Sequence, residues 1–364
     1  MACVVLLRNN PTMKIFWMKL VNWETWHHHA KYIPLIPAWL WHCIKARSFW
    51  FFSASNPTLT FGGFEGEGKE EMYSQLPQDS YPKMVVIQPG TSNADLLAIK
   101  ERNGFNYPFA VKPDVGMMGF MFRRITNEEQ LFLYHKSMPV TYLMQTMIDL
   151  PLEVSVFYYR MPGQPKGKVT GFSAKHAPFV IGDGVSNLET LIANHKDLKY
   201  LQAEMKERHR EKIDLTLAKN ESFVLSFASN RSQGGKIVTL SHEIDERLNA
   251  RFDEISNHTK HFYYGRFDVK CLSVEDLKAG KNFAILEFNG AGAGIQHIYG
   301  NGLSLIEACK TILIHWRMMY EISTYNNRVN GVKFWEFFTG LKFLKAAKQN
   351  LEMLKKLDAE FPTL

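Results

Sequence analysis

Two apolar segments in the C-terminal half of the chain carry alternating polar residues. Arg266 and Asp268 alternate with apolar side chains in the first segment, and Glu287 and Asn289 do so in the second. Because residues two apart on a strand project from one face, each pair presents its polar groups together. Two carboxylates and an amide oxygen are the hard ligands that magnesium prefers where it also contacts phosphates. The alternative is that they are solvent-facing residues of amphipathic strands.

A lysine followed by glycines marks a second candidate site. Lys112 ends an apolar strand, and Gly116 and Gly119 lie in the loop that follows. Glycine amides can approach phosphate oxygens closely, and a neighbouring lysine neutralises phosphate charge. Alone this is a weak signal, because a lysine before a Pro-Asp turn is a short and common pattern.

The elements that would position these residues alternate between strands and helices. β-branched and alternating runs predict strands over residues 84–87, 109–112, 119–125, 142–147, 154–160, 168–175, 223–228, 235–240, 265–271 and 283–288. Capping residues and helical spacing predict helices over 92–103, 127–135, 188–194, 198–212, 241–259, 303–325 and 334–357. Hairpins among helices indicate an α+β chain.

Composition limits the class of protein. The 364 residues include 43 basic and 36 acidic side chains, a formal net charge of +7. This excess suits phosphate-bearing ligands or an anionic membrane surface, and it does not indicate nucleic acid. The four cysteines are scattered without a CxxC pair, which excludes a disulfide scaffold and a cysteine zinc ribbon. No apolar run reaches the roughly 18 residues needed to span a bilayer.

The first fifty residues have an unusual composition. They hold Trp17, Trp23, Trp26, Trp39, Trp41 and Trp50 of the eight tryptophans, among several lysines. Indole rings and cations are typical of segments that lie at a membrane interface. The leader therefore predicts either peripheral contact with anionic lipid or a hydrophobic cover on the folded body, and both stay open. The triplet His27–His29 has no carboxylate spaced to complete a metal site, and we predict none there.

In their order and spacing, the Lys112 segment and the two polar strands resemble the ATP-grasp superfamily, most nearly the D-alanine–D-alanine ligase-like carboxylate–amine ligases. The resemblance covers about residues 84–320 and implies an α+β fold whose two lobes clasp ATP. It divides the chain into a tryptophan-rich leader (1–56), a pre-ATP-grasp region (57–108), a catalytic domain (109–325) and a C-terminal amphipathic helix (326–364). The N-terminal region is shortened relative to D-alanine ligases, so their specificity is not carried over.

The resemblance also implies roles for matched residues. ATP would be held by Lys112, Gly116, Gly119, Gln145, Met147, Ile148, Glu153 and Lys175. Among these, the two lysines contact phosphates, the glycines close over them, residues 145–148 read adenine, and Glu153 binds the ribose. Asp268, Glu287 and Asn289 would hold two magnesium ions, for which manganese can substitute. Met121 stands where the family has a third loop glycine.

The implied reaction joins a small-molecule carboxylate to an amine through an acyl phosphate, with release of ADP and phosphate. Arg266, Lys175 and the Gly292 amide are the candidate catalytic groups, and Arg231 and Gly290 are candidate substrate contacts. A plain tight turn is the alternative for the glycines after Asn289. Two other classes share these residues: a kinase of the same fold, and a membrane-associated ATP-binding module without turnover. We expect a cytoplasmic protein that does not bind nucleic acid, with contact at the inner membrane face through residues 1–50 as the open alternative. Monomer and homodimer both stay open.

Overall fold

The computed structural model describes residues 22–26, 30–117, 119–226, 229, 234–259 and 261–362. Its strands are β1 (Met84–Ile87), β2 (Phe109–Pro113), β3 (Arg123–Ile125), β4 (Tyr142–Thr146), β5 (Leu152–Tyr159), β6 (Lys168–His176), β7 (Phe179–Ile181), β8 (Ser222–Val224), β9 (Lys236–Thr239), β10 (Tyr264–Cys271) and β11 (Phe283–Asn289). Its α-helices are α1 (Ile36–Ala46), α2 (Lys69–Tyr73), α3 (Asn93–Arg102), α4 (Glu128–Ser137), α5 (Leu188–Asn194), α6 (Gln202–Arg208), α7 (Glu246–Thr259), α8 (Val274–Ala279), α9 (Leu305–Arg328) and α10 (Phe337–Glu360).

The chain forms two compact units. The first takes the described parts of 1–39, 174–239 and 297–314, and the second takes 40–173, 240–296 and 315–364. In the first unit, β7 pairs with β8, and a small core forms around Leu188, Ile192, Leu198 and Met205. These residues lie at helical spacing on α5, α6 and the turn between them, so one apolar stripe closes that core.

An antiparallel sheet in the order β1-β4-β2-β3 forms one part of the second unit. One face carries Val111 and Met144, which pack with Leu96 of α3, Leu131 of α4 and Leu354 of α10. The capping side chains of Ser92 and Asn127 accept the amides of the first turns of α3 and α4, as their residue types predict. The opposite face carries Lys112 and Gln145, because side chains alternate along each strand.

The strands β11, β10, β5 and β6 follow one another in the second sheet of this unit. Its apolar face carries Val156, Phe267 and Ile285, which pack with Phe252 of α7 and Leu277 of α8. A β-bulge interrupts the pairing of β10 and β11, since Asp268 lies opposite Glu287 while Val269 lies opposite Ile285. The extra residue, Leu286, lets Ile285 and Phe288 both face the core, which strict alternation does not allow.

The described part of the leader serves partly as a cover. Trp50, Phe51 and Phe52 are buried, whereas Trp41 is 59% exposed. Gly340 of α10 lies directly against the Trp50 indole, where a β-carbon would sit 2.4 Å from Nε1. Trp17 and the triplet His27–His29 lie outside the described residues.

The predicted α+β class is confirmed, and several element boundaries differ from the predictions. The predicted helix over 198–212 is split, with α-helix only at Gln202–Arg208 between short 3-10 turns. The predicted strand over 119–125 keeps only Arg123–Ile125, because residues 119–121 form a turn. The predicted helix over 241–259 begins at Glu246 after a separate turn. None of the described helices has both the length and the apolar character required to cross a bilayer.

Candidate active site

Four predicted site residues meet on adjacent strands of the second unit. Asp268 of β10 lies opposite Glu287 of β11, and Arg266 lies opposite Asn289. Directly opposed residues of an antiparallel pair share a face, with β-carbons about 5 Å apart. Glu287 and Asn289 share this polar face because they are two residues apart, and the bulge at Leu286 turns Ile285, which strict alternation would place on the same face, into the core.

Arg266 and Asp268 form a buried two-point ion pair. The Arg266 Nε donates to Asp268 Oδ1 and its Nη2 donates to Oδ2, both at 3.0 Å. The Ser155 hydroxyl on β5 also donates to Oδ1, at 2.9 Å, and Arg266 Nη1 donates to the Gly294 carbonyl oxygen at 2.9 Å. This arrangement fixes the plane of the guanidinium, since two parallel hydrogen bonds leave it little freedom.

Lys112 reaches the same region from β2. Its ammonium donates to the Tyr73 hydroxyl oxygen at 3.1 Å, as does the Gln145 amide nitrogen at 3.1 Å. The Tyr73 hydroxyl in turn donates to the carbonyl oxygen of Leu286, the bulged residue. Burial lowers the pKa of Lys112 from 10.5 to about 8, although the charges of Glu287 and Asp114 oppose that shift. The ammonium is thus a poorly solvated cation, which a phosphate would stabilise.

A glycine-rich strap, residues Gly62–Lys69, lies across this site and ends in a lysine. The Lys69 ammonium donates to the Gly116 carbonyl oxygen at 2.8 Å and lies 3.8 Å from the Glu287 carboxylate. The Glu70 amide at the start of α2 donates to Asp114 Oδ1 at 2.8 Å. Lys69 and Tyr73 were not among the predicted site residues. The Gly-Glu-Gly-Lys run before a short helix was the available signal for the lysine, and nothing in the pattern indicated the tyrosine.

The same strap occupies the Gly292 amide, which was predicted to be a catalytic group, and the neighbouring Ala291 amide. The Ala291 amide donates to the Gly62 carbonyl oxygen and the Gly292 amide donates to that of Gly63, both at 3.0 Å. In this conformation the Gly292 N–H is therefore not available to a substrate oxygen, which differs from the predicted role. The contact is so close that a β-carbon on Gly292 would lie 1.8 Å from the Phe64 carbonyl oxygen. Gly290 also packs closely on the strap, since a β-carbon there would lie 2.4 Å from the Gly62 carbonyl oxygen.

A cavity of about 120 Å³ lies beneath the strap. Its walls are the strap, Gly116, the pair Glu287 and Asn289, and Asn350 of α10. The amide nitrogen of Asn289 is buried and has no hydrogen-bond partner among the described residues. Burial, reinforced by the charge of Glu287, raises the pKa of Glu67 to about 7. The cavity thus presents carboxylate and amide groups that water solvates poorly.

The predicted phosphate loop follows β2 without regular structure. Gly116 lines the cavity, and Gly119 has a φ of +78° with open space around its α-carbon. Met121 also adopts a positive φ, +56°, although its side chain is fully buried. Its amide donates to Asp358 Oδ1 at 2.7 Å, and its carbonyl oxygen accepts from the Tyr134 hydroxyl at 2.9 Å. These bonds hold a left-handed conformation that glycine would adopt without strain. Met118 lies outside the described residues.

The residues predicted to read adenine and ribose lie in β4, in β5 and in the segment between these strands. Gln145 is buried and bound to Tyr73, while Met147 is exposed. The carbonyl oxygen of Ile148 accepts from the Lys270 ammonium at 3.3 Å, and Lys270 lies opposite Glu153 across β10 and β5. The structure thus brings Ile148, Glu153 and Lys270 together at one end of the sheet.

The remaining predicted site residues are Lys175 and Arg231. Lys175 is buried near the end of β6, in the part of that strand assigned to the first unit. Arg231 lies outside the described residues.

The donor set suits magnesium better than a transition metal. Among the described residues there is no cluster of three His, Cys, Asp or Glu side chains that could enclose a metal. Asp268 and Glu287 face each other across the strands, with Asn289 beside Glu287. Magnesium is usually held by one or two carboxylates together with phosphates and water, so a two-carboxylate set fits it.

No protein-family model and no curated protein matches the chain. Solved structures do, and they include a bifunctional glutathione synthetase from Pasteurella multocida (17% identity, TM-score 0.37, 65% of this chain and 34% of that one). They also include the VanG D-Ala:D-Ser ligase from Enterococcus faecalis (13%, 0.40, 71% and 62%) and a D-alanine–D-alanine ligase from Bacillus anthracis (12%, 0.39, 71% and 66%).

The structures similar to this chain are thus ligases, and another is titled an ATP-grasp ligase, PsnB, at 11% identity and a TM-score of 0.37. The chain spans about a third of the glutathione synthetase and less than two thirds of the other three. At this degree of overlap no residue role transfers to the chain, and the functional argument depends on its own geometry.

Proposed function

We propose that this chain is an ATP-dependent carboxylate–amine ligase that binds ATP with magnesium. One observation carries the proposal: the desolvated Lys112 ammonium lies beside the bulge that holds Glu287 opposite Asp268. A poorly solvated cation near two opposed carboxylates is an arrangement that magnesium and phosphate together would complete, since each would neutralise the opposite charge.

Asp268, Glu287 and Asn289 would hold the magnesium, and Lys112 would bind phosphate oxygens. Bound MgATP supplies the phosphoryl group that activates a carboxylate. The substrate carboxylate attacks the γ-phosphorus, the bond to ADP breaks, and an acyl phosphate forms. An amine then attacks the acyl carbon, phosphate leaves with the bonding electrons, and the amine proton passes to water or phosphate. Such a site needs positioned charge and no nucleophilic side chain.

Arg266 is the proposed partner of the transferred phosphoryl group. Its guanidinium is oriented by both oxygens of Asp268 and by the Gly294 carbonyl oxygen. A cation fixed in this way stabilises developing charge without reorganising during the reaction. Lys175 is the proposed second phosphate lysine, and Gly116 and Gly119 the proposed loop over the phosphates. We also propose Glu153, with the segment from Gln145 to Ile148, as the nucleoside contact.

The strap sets the order of events. Lys69 occupies the Glu287 carboxylate and the Gly116 carbonyl oxygen. Glu287 would hold magnesium in competition with this ammonium, which lies 3.8 Å from its carboxylate. Release of the Gly62 and Gly63 carbonyls would also free the amides of Ala291 and Gly292 for a substrate oxygen.

Phosphorus NMR with protein, magnesium, ATP and a pooled small-metabolite extract tests the proposal. A ligase yields ADP and free phosphate only when the extract is present. A new phosphoester signal would instead assign a kinase, and unchanged ATP with measurable MgATP binding would assign a non-catalytic binding module. Either result overturns the ligase.

Glu287→Gln tests the metal assignment within the same assay. We expect turnover and magnesium-dependent ATP binding to be lost, while the melting temperature stays within a few degrees, because only a charge is removed. Glu101→Gln is the matched control, since Glu101 is exposed on α3. Unchanged magnesium dependence in Glu287→Gln would remove this residue from the site. The proposed substrates are small molecules, and the proposed assembly is a cytoplasmic homodimer.

A further inference from the structure

A group of exposed apolar side chains lies on α1, just after α1 and at the start of α10, all within the second unit. We call it the aromatic ledge, and it consists of Leu40, Trp41, Ile44, Phe49, Phe337, Phe338 and Leu341. All seven side chains are exposed, with Trp41 at 59%, Ile44 at 67% and Phe338 at 79%. Exposed apolar side chains are ordinary one at a time, whereas a contiguous group marks an interaction surface.

Ring contacts join Phe49, which follows α1, to the start of α10. The Phe49 and Phe337 rings lie 5.7 Å apart, and Phe338 lies 5.4 Å from Phe337. Beneath them, the buried Trp50 stacks on Phe337 at 5.9 Å and donates its indole N–H to the Phe337 carbonyl oxygen at 3.0 Å. The ledge is therefore a preformed platform that loses little side-chain entropy when it binds.

The segments that bear the ledge are basic. Residues 40–49 contain Lys45 and Arg47 and no carboxylate. Residues 333–348 contain Lys333, Lys342, Lys345 and Lys348 against the single carboxylate of Glu336. All six cations are exposed. Aromatic rings surrounded by lysine and arginine are complementary to lipid headgroups, where rings enter the interface and cations meet anionic phosphates.

We propose that the aromatic ledge docks the protein on the surface of an anionic bilayer. Because Leu40, Trp41 and Ile44 follow helical spacing on one side of α1, this helix would lie in the plane of the headgroups. A second copy of the chain fits less well, because a two-fold interface on this surface would bring two basic rims together. The inference does not depend on the proposed ligase activity, and either can fail without the other.

Vesicle co-sedimentation of the full chain tests the proposal. Vesicles of phosphatidylcholine with about 30% phosphatidylserine should bind the protein, and pure phosphatidylcholine vesicles should bind it at least tenfold more weakly. Lys342→Gln and Lys345→Gln should each weaken binding about fivefold, an effect of about 1 kcal/mol per charge near the surface. The double variant Trp41→Gln/Phe338→Gln should reduce binding to the background level. Phe179→Gln, which removes a ring that is 45% exposed in the first unit, should leave binding unchanged.

Two results would overturn the proposal. One is the absence of co-sedimentation at low salt, with circular dichroism showing that the protein is folded. The other is a dimer by sedimentation velocity that Trp41→Gln/Phe338→Gln converts to a monomer, which would assign the ledge to a second copy. Because the substituted side chains are exposed, their replacement should leave the melting temperature unchanged, and a melt of each variant verifies this.

Discussion

Replacing Lys112 by methionine should stabilise the protein at neutral pH. The substitution keeps the length of the side chain and removes an ammonium whose pKa is lowered from 10.5 to about 8 by burial. At 1.36 kcal/mol per pKa unit, that depression corresponds to about 3 kcal/mol of cost for the charged form. The lost hydrogen bond to Tyr73 offsets about 1 kcal/mol of the gain. The side chain is half-buried, so we expect a net stabilisation of roughly 1–2 kcal/mol.

The pH dependence separates this cause from a general packing effect. Since the folded-state pKa lies below the unfolded value, the unfolded chain binds more protons between about pH 8 and pH 10.5. The free energy of unfolding of the unmodified protein should therefore rise with pH across this window. Between about pH 8 and pH 9.5 the free energy of unfolding of the unmodified protein should rise by about 2 kcal/mol. Lys112→Met should therefore be no more stable than the unmodified protein at about pH 9.5.

Urea unfolding at both pH values measures the difference directly. Lys168→Met is the matched control, because Lys168 is exposed at the start of β6 and its removal should change nothing. Lys112→Met should also lose MgATP binding, so that its stability rises while its function is lost. Two results would refute the argument from desolvation. One is a Lys112→Met protein that is less stable than the unmodified chain at pH 7, and the other is a change in the free energy of unfolding that is the same at both pH values.

Further predictions concern the strap and the ion pair. Gly292→Ala places a β-carbon 1.8 Å from the Phe64 carbonyl oxygen, so it should displace the strap and lower the melting temperature. Gly294→Ala is the control, because a β-carbon there meets only ordinary contacts and should leave the melting temperature unchanged. Equal melting temperatures for the two variants would show that the strap does not contact Gly292. Asp268→Asn leaves the buried Arg266 without its anionic partner and should lower the free energy of unfolding in urea by about 3 kcal/mol. The control Asp149→Asn, at an exposed position, should change it negligibly. A decrease below about 1 kcal/mol for Asp268→Asn would contradict a buried ion pair.

The polar face of β10 and β11 was predictable because its signal is local. Arg266, Asp268, Glu287 and Asn289 alternate with apolar residues, and alternation determines which side chains share a face. The bulge was not predictable, since an inserted residue leaves no mark on composition. Strict alternation would have put Ile285 on the polar face, whereas it lies in the core. Helix caps such as Ser92 were likewise readable, because their hydrogen bonds span only a few residues.

Contacts between distant segments could not be predicted in the same way. Tyr73 joins Lys112, Gln145 and the Leu286 carbonyl oxygen, which are far from it in sequence, and no spacing rule links them. The strap presents the same difficulty. Closely spaced glycines are typical of a loop, yet only the structure shows the Gly62 and Gly63 carbonyl oxygens accepting from the amides after Asn289. The periodicity of a sequence predicts which side chains share one face of a strand or helix. It does not predict which distant segment packs against that face.

In this structure Arg266, Lys69 and Lys112 each contact another group within the candidate site, although the partner of Lys112 is uncharged. Arg266 is paired with Asp268, Lys69 lies against Glu287, and the Lys112 ammonium rests on a tyrosine hydroxyl. Of these, only the first is a short, buried, two-point pair, and the lysines are held by longer or neutral contacts. An incoming phosphate and divalent cation would therefore exchange the weaker contacts, of Lys69 and Lys112, and leave the Arg266–Asp268 orientation in place. If so, Lys69→Met should weaken MgATP binding and leave the buried pair intact, whereas a tighter binding would show that the strap only blocks the site.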